Sequence, residues 1–203
     1  MTTKTEICNL AISRLGDKSS IESIDHPKKQ TEIVCSKWYD ISRKTALKYM
    51  MPNFARKRDK WALSLDYTPA FGYKYAYKYP ADCLKILGIG NLRNINAGTV
   101  ENGYYLTNEY FEGGLEVRYV YDVTDETRFS SDFVQLFSWI LARDICSELT
   151  SSSSKFKMIE EILPMKIAEF CGVDAQENPP IRISRPARYK WRNGYIENLE
   201  GKV

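Results

Sequence analysis

Histidine is nearly absent from this chain of 203 residues, and its scarcity removes much of the usual catalytic chemistry. The single imidazole, His26, lies in an Asp25-His26-Pro27 turn, and we interpret it as an exposed turn residue. The sequence also lacks a Cys-x-x-Cys pair and carboxylates at metal-ligand spacing. We therefore predict that the protein is not an enzyme and binds neither a metal nor a cofactor. An enzyme centred on His26 ranks third among the functions considered, after the two named at the end of this subsection.

Long apolar runs and a leader pattern are lacking too. No stretch reaches the ~18 apolar residues typical of a membrane span, so we expect no membrane association. Residues 1–6, MTTKTE, carry neither the basic start nor the apolar core of a signal peptide. Five cysteines, an odd number spread along the chain, favour buried thiols over a disulfide framework. These features predict a protein of the cytoplasm in which it is made.

Most of the chain has no excess of positive or negative charge. The net charge is +3, but residues 181–203 hold six Lys or Arg against two Glu, a balance of +4. The preceding 180 residues are therefore close to neutral, at −1. We expect an electrostatic partner to meet the final segment.

Apolar residues at helical spacing predict two helices before residue 58. Thr3 opens a Thr-x-x-Glu capping box, and Gly16 supplies a left-handed end to the first helix. Pro27 is expected to start the second helix, which ends near Met50 because Pro52 stops it. Two apolar stripes run side by side along it at helical spacing: Val34, Trp38, Ile41 and Thr45, and Cys35, Tyr39, Ser42, Ala46 and Tyr49.

Between residues 61 and 123 the apolar period changes to two, which predicts about four to six antiparallel strands. We interpret the basic segment 56–58 as a connector to them. Alternation or short apolar runs occur at residues 62–67, 85–89, 104–107 and 115–121, with turn residues at 94–98, 102–103 and 113–114. One face of a further predicted strand carries an aromatic ladder of Phe71, Tyr73, Tyr75, Tyr77 and Tyr79.

Helical spacing returns after residue 130. Ser130 is expected to cap a third helix whose apolar residues cover a wide arc, which is typical of the most buried helix of a fold. A fourth helix, from about Ser154, is expected to bend at Pro164 and to end at Gly172. Beyond the Pro-Pro pair at 179–180 no period survives, which favours an extended arm.

The predicted fold class is α+β. It combines an antiparallel helical bundle of about four helices, an inserted small antiparallel β-sheet or barrel, and an extended C-terminal arm. We assign residues 1–58 to the first half of the bundle, 59–127 to the inserted β domain, 128–176 to the second half and 177–203 to the basic arm. The two helical halves must meet across the insertion to bury their apolar stripes.

Two segments allow more than one use. The Tyr73–Tyr79 ladder, interleaved with Lys74 and Lys78, either packs on the core or stacks the bases of single-stranded nucleic acid. The arm tracks phosphate, stays a solvated tail, or docks on a protein partner. The docking interpretation assigns these contacts: Arg182, Arg185, Arg188, Tyr189, Trp191 and Arg192.

Short motifs along most of the chain point to one family. They are ICNLAISRLG at 7–16 with IESID at 21–25, Trp38-Tyr39 through Arg43, Ala46 and Leu47, PNFA at 52–55 with Arg58 and Leu63, YAYKYPADCL at 75–84, DAQE at 174–177, and the segments 184–186 and 191–192. Together they resemble tail tubular protein A, the head-to-tail adaptor family of tailed bacteriophages. Asn53 stands where the family often has tryptophan, and Pro164 within the fourth helix departs from its pattern.

The resemblance implies a structural virion protein, not an enzyme. It implies a dodecameric ring between the portal protein and the tail nozzle or tube protein, with a channel that passes double-stranded DNA without sequence readout during ejection. The arm residues would then contact the portal or a neighbouring subunit. The protein would be found in the tail or neck of the virion, and in the host cytoplasm before assembly. The alternative function is a single-stranded nucleic-acid-binding protein that uses the Tyr73–Tyr79 ladder.

Overall fold

The structure is a computed structural model that describes residues 2–90 and 98–177. Two short 3₁₀ turns, Asn53–Ala55 and Glu126–Arg128, accompany the regular elements. In chain order those are α1 (Lys4–Arg14), α2 (Gln30–Met50), β1 (Arg56–Trp61), β2 (Tyr75–Lys78), β3 (Cys83–Ile89), β4 (Gly98–Glu101), β5 (Tyr104–Thr107), β6 (Leu115–Tyr121), α3 (Ser131–Thr150) and α4 (Ser153–Glu177).

The predicted α+β class is confirmed at the level of a mixed fold with four helices and two small antiparallel sheets. One three-stranded sheet, sheet A, has the order β1-β6-β3, and the other, sheet B, has the order β2-β5-β4. Neither sheet is closed, so the described strands form no barrel. The predicted arm lies outside the described residues, and the domain boundaries stay predictions.

Local capping chemistry places the first helix as predicted. The Thr3 hydroxyl accepts a hydrogen bond from the Glu6 N–H, and the Glu6 carboxylate accepts one from the Thr3 N–H. Gly16 follows α1 with φ +69°, a conformation that favours glycine. Ile21 and Ile24 then turn inward to the core, as expected of the connector.

The second helix begins at Gln30, so the predicted start at Pro27 is wrong. The Glu32 carboxylate accepts hydrogen bonds from the N–H groups of Lys28 and Lys29, at 2.7 and 3.0 Å. It also accepts one from the Glu22 N–H at 3.3 Å. These bonds satisfy the free donors ahead of the helix and fix its first turn three residues after Pro27.

The same hydrogen bonds make stability depend on pH. They hold the pKa of Glu32 at about 2, well below the ordinary value of 4.5, with the Lys29 and Lys28 N–H groups the largest causes. A carboxyl with a lowered pKa stabilises the fold above its unfolded pKa, and this stabilisation is lost as pH falls from about 4.5 towards 2. We expect Glu32→Gln to be less stable than wild type at pH 7.

Unfolding by urea across pH 2–7 measures this effect. The stability difference between wild type and Glu32→Gln should shrink as the pH approaches 2. The exposed Glu161→Gln serves as the matched control and should follow the wild-type curve. A constant difference between wild type and Glu32→Gln over the whole range would contradict a role for the ionised carboxylate.

Two predictions about the strands around sheet A are wrong. Residues 56–58 are not a connector, because they begin β1, which pairs residue by residue with β6 from Arg56↔Val120 to Trp61↔Leu115. The predicted strand at 62–67 is wrong, since that segment contributes a single bridge, Leu63↔Tyr77. An edge strand is solvated, so β1 carries charges at five successive positions and needs no apolar alternation.

The aromatic ladder is shorter than predicted. The strand β2 covers Tyr75–Lys78, where its partner β5 lies opposite. Gly72 has φ +82°, which interrupts an extended chain, and Phe71 is 90% exposed. Tyr77 is fully buried, so the core interpretation is confirmed for this residue, whereas Tyr73 and Tyr75 are half-buried.

Two apolar clusters hold the fold together. The first joins the four helices to Val120 and Val123 at the end of sheet A. The second lies between the two sheets, where Trp61 meets the rings of Tyr79 and Tyr119 at 5.3 and 5.7 Å. Its buried members come from both sheets: Trp61, Tyr77, Cys83, Ile89, Tyr105, Leu115, Val117 and Tyr119. The inserted strands therefore have an aromatic core of their own.

The third helix is the centre of the helical part. It is capped by Ser130, whose hydroxyl accepts from the Phe133 N–H, and it packs against α1, α2 and α4. Eleven of its 20 residues are buried, which confirms the prediction of the most buried helix. The two helical segments of the sequence therefore meet across the inserted strands.

The fourth helix runs through Gly172 to Glu177, so the predicted end at Gly172 is wrong. An internal glycine costs a helix about 1 kcal/mol relative to alanine. Here the last turns are held from outside, because the Asp174 carboxylate accepts a hydrogen bond from the Asn53 N–H at 2.9 Å. Pro164 lies within the helix, and the bend expected there stays a prediction.

Candidate functional site

The predicted docking residues lie outside the described residues: Arg182, Arg185, Arg188, Tyr189, Trp191 and Arg192. The structure does describe the place from which the chain continues towards them. That place is the end of α4 at Glu177. The surfaces around this end are therefore the first candidates for contact with a partner.

A set of polar contacts ties the end of α4 to the segment before β1. Besides the bond from the Asn53 N–H, the Asn53 side-chain amide donates to the Asp174 carbonyl at 2.5 Å. The Arg56 guanidinium lies 3.7 Å from the Asp174 carboxylate. We call this set of three residues the Asp174 clasp. It fixes the last turns of α4 beside the first strand of sheet A.

Apolar side chains line an uncovered flank of α4. Three of its 25 residues are buried, namely Ile159, Leu163 and Phe170. Beside this buried face runs a second stripe at i, i+4, i+7 and i+15 spacing, in which Met165 is 54% exposed. We call this stripe the α4 surface: Met158, Met165 and Val173, which are exposed, and Ile162, which is half-buried against the helical core.

A groove of about 450 Å³ continues the α4 surface towards α1 and α3. Its apolar walls come from Trp139, Leu136 and Phe170. Its charged and polar lining consists of Arg14, Asp132, Gln135, Lys166 and Glu169. An apolar floor with a polar rim is the usual composition of a surface that receives a partner's side chain.

The Arg14 side chain is positioned by two contacts across this groove. Its guanidinium stacks over the Trp139 ring, 4.8 Å from the ring centre, and donates to the Gln135 side-chain oxygen at 2.5 Å. The Arg14 Nε is buried and has no hydrogen-bond partner within the described chain. The arginine therefore contributes a fixed, partly unsatisfied cation to the wall of the groove.

Arg43 connects α2 to the segment between β6 and α3. Its side chain is 3% exposed and donates to the Asp122 carboxylate and to the Val123 carbonyl. It also bonds the Asp40 carboxylate at 3.2 Å. The neighbouring Tyr39 is buried too, and burial raises the pKa of its phenol above the usual range. These contacts fix the helices relative to sheet A.

The tyrosine ladder offers no continuous stacking face. Tyr77 is enclosed between the sheets, and its hydroxyl accepts from the Phe111 N–H at 2.9 Å. Tyr79 donates to the Cys83 carbonyl at 3.2 Å, and burial raises the pKa of its phenol. Tyr75 packs against Tyr110, with ring centres 5.5 Å apart.

The remaining sequence candidates are distributed over the fold. His26 is exposed in a bend. Over residues 2–90 and 98–177, no group of three His, Cys, Asp or Glu side chains is arranged to hold a metal ion. None of the described helices is long and apolar enough to cross a membrane. Four cysteines are buried, as predicted, whereas the expected burial is wrong for Cys171, which is exposed on α4.

No protein-family model matches the chain, and the search of curated proteins returned no match. The function must therefore be inferred from the chain's own motifs and geometry.

Two features of the site were missed at the level of sequence. The α4 surface was overlooked, although its apolar spacing beside the predicted buried stripe was visible. The burial of Arg43 had no local sequence pattern, because its partners Asp122 and Val123 are distant in sequence.

Proposed function

We propose that this chain is a structural, non-enzymatic head-to-tail adaptor of a tailed-phage virion, similar to tail tubular protein A. Copies form a ring, a dodecamer by analogy with that family, between the portal protein and the tail nozzle or tube protein. The ring gives double-stranded DNA a channel during ejection. The motifs that support this proposal extend from ICNLAISRLG at residues 7–16 to DAQE at 174–177.

The proposal includes the finer architecture. The helices of residues 1–58 and 128–176 form an antiparallel bundle, and residues 59–127 are the domain inserted in it. The arm, residues 177–203, extends to the portal or to a neighbouring subunit. Its arginines and aromatic residues, Arg182, Arg185, Arg188, Tyr189, Trp191 and Arg192, make the contacts.

The observation that carries the proposal is the α4 surface. A ring uses a heterologous interface, in which two different patches of the same subunit meet. The α4 surface supplies one apolar patch beside the groove. The outer side of α2 supplies a second, where Ile33 and Ile41 are exposed among lysines. The two patches lie on different helices, α2 and α4, which both pack on α3. One subunit can therefore use them to contact two different neighbours. We assign the contact between subunits to these two patches.

Two charges on the α4 surface are expected to abolish the ring. In Met158→Glu/Met165→Glu, each carboxylate would be buried at the interface without a partner, which costs several kcal/mol. Because both positions are exposed in the subunit, its melting temperature should change little. Electron microscopy and mass photometry, with the portal protein encoded by the same genome, measure ring formation.

The matched control places the same charges on the same helix but outside the α4 surface. Ala168 and Ala175 are exposed on the neighbouring flank of α4, so Ala168→Glu/Ala175→Glu should assemble like wild type. Normal rings from Met158→Glu/Met165→Glu would show that the α4 surface is not the interface.

A truncation before Pro179 tests the arm, because the subunit should stay folded while attachment to the portal fails. A wild-type chain that stays monomeric with the portal and tail proteins would overturn the adaptor function.

A further inference from the structure

Two arginines lie side by side on the exposed face of sheet A. Arg58 of β1 and Arg118 of β6 are direct cross-strand partners, so their side chains project from the same face. Both residues are exposed. In the part of the chain that the structure describes, neither guanidinium has a carboxylate partner or a hydrogen bond. Like charges that face each other directly destabilise a sheet.

Further cations surround this pair. Arg56 and Lys60 flank Arg58 at two-residue steps along β1, and Lys85 of β3 pairs with Val120. Arg56 is engaged by Asp174, and Lys60 lies 2.9 Å from the Glu116 carboxylate. We call this surface the basic face: Arg56, Arg58, Lys60, Lys85 and Arg118.

Protection of the sheet edge explains part of this pattern. Charged residues on an edge strand discourage pairing with other chains, which accounts for the charges of β1. The explanation does not extend to Arg118, because β6 is the central strand of sheet A. The Arg118 guanidinium lies over Gly88 of β3, 3.7 Å from the position that a Cβ would take there. Protection of the edge therefore leaves the position of Arg118 unexplained.

We propose that the basic face binds the phosphate groups of double-stranded DNA. The planar guanidinium fork matches two phosphate oxygens, and an anion between Arg58 and Arg118 removes their repulsion. Arg58, Lys60 and Arg118 are all exposed along this face, so the backbone of a polymer can reach the three side chains together. The choice of duplex DNA rests on the proposed function, whereas the phosphate contact rests on the geometry. Such contacts carry no sequence readout.

The experiment compares DNA binding by three full-length proteins. These are wild type, Arg58→Gln/Arg118→Gln, and a matched control, Lys28→Gln/Lys48→Gln, which removes two exposed charges from the helical part. All three keep the basic C-terminal segment, so its contribution cancels. Fluorescence anisotropy with a labelled duplex of about 30 base pairs, recorded between about 50 and 200 mM salt, gives affinity and salt slope.

The arginine variant should lose about 1.8 from the slope of log K against log salt, or 0.9 for each phosphate contact, and about tenfold or more in affinity at low salt. The lysine control should keep the wild-type slope. The arginine variant should melt at the wild-type temperature or above it, because the like-charge pair is gone. Wild-type slope and affinity in the arginine variant would overturn the proposal.

Two further measurements separate this inference from the adaptor function. Polyglutamate at equal charge tests for a carboxylate partner, and competition as strong as that of unlabelled duplex would overturn the DNA assignment. Ring formation on the portal is scored separately. If Arg58→Gln/Arg118→Gln still forms rings but has lost DNA binding, the result supports the inference. Duplex binding through Arg58 and Arg118 by a chain that forms no ring supports the phosphate site and refutes the adaptor function.

Discussion

Replacing Arg43 by methionine is expected to destabilise the protein by about 3–5 kcal/mol, the usual cost of removing one partner from a buried ion pair. The guanidinium donates to the Asp122 carboxylate and to the Val123 carbonyl, within the junction between the helices and sheet A. Without it, both acceptors lose a donor in a place that water reaches poorly, since the Asp122 side chain is largely buried.

Urea unfolding of Arg43→Met measures the effect, with Arg128→Met as the matched control. Arg128 is exposed and lies 3.7 Å from Asp125, an arrangement worth at most about 1 kcal/mol. Adding Asp122→Asn to each background gives a double-mutant cycle that isolates the coupling. A loss below about 1 kcal/mol in Arg43→Met would mean that this junction does not depend on the ion pair.

Tyr77→Ala is expected to cost about 3–5 kcal/mol, the usual range for deletion of a buried aromatic side chain. The ring is fully buried between the two sheets and meets Phe111 at a centroid distance of 6.0 Å. Tyr77→Phe keeps the ring and removes the acceptor of the Phe111 N–H, so it should cost about 1 kcal/mol.

Phe71→Ala provides the comparison within the same aromatic ladder. Phe71 is exposed, so its removal should change stability by no more than about 0.5 kcal/mol. Thermal and urea unfolding of the three variants test this order. Unchanged stability in Tyr77→Ala, together with weaker binding of a single-stranded oligonucleotide, would support the alternative in which the ladder stacks bases.

Sequence predicted the parts of the fold that local chemistry determines. The Thr3–Glu6 box and the Ser130 cap act within one helical turn, so residue types three positions apart contain the information. The wide apolar arc of α3 likewise predicted its burial, because most of that helix is covered by the others. The Asn102-Gly103 turn was predicted for the same reason, since both residues take positive φ.

Sheet boundaries were harder, because a strand exists where a partner lies opposite it. The alternation of aromatic residues continues back to Phe71, yet β5 offers four residues, Tyr104–Thr107, and β2 is four residues long. Conversely, the charged segment Arg56–Lys60 has no apolar period but finds an unpaired edge on β6. Neither outcome can be predicted from the residues of the strand itself, because both depend on the partner strand.

The candidate site illustrates a second limit. Periodicity separates the apolar residues of α4 from its polar ones, but it does not tell which apolar stripe is covered by α3 and which stays open. The cross-strand position of Arg58 and Arg118 also depended on the register of β1 with β6, which no local pattern contains.

The Asp174 clasp has a mechanical consequence. A force that pulls on the chain beyond Glu177 acts where α4 is tied to Asn53 and Arg56. The load therefore passes directly into β1 and across the ladder of β6, whose hydrogen bonds resist it together. Without the clasp, the same load would peel α4 from its free end, turn by turn, because its last buried residue is Phe170.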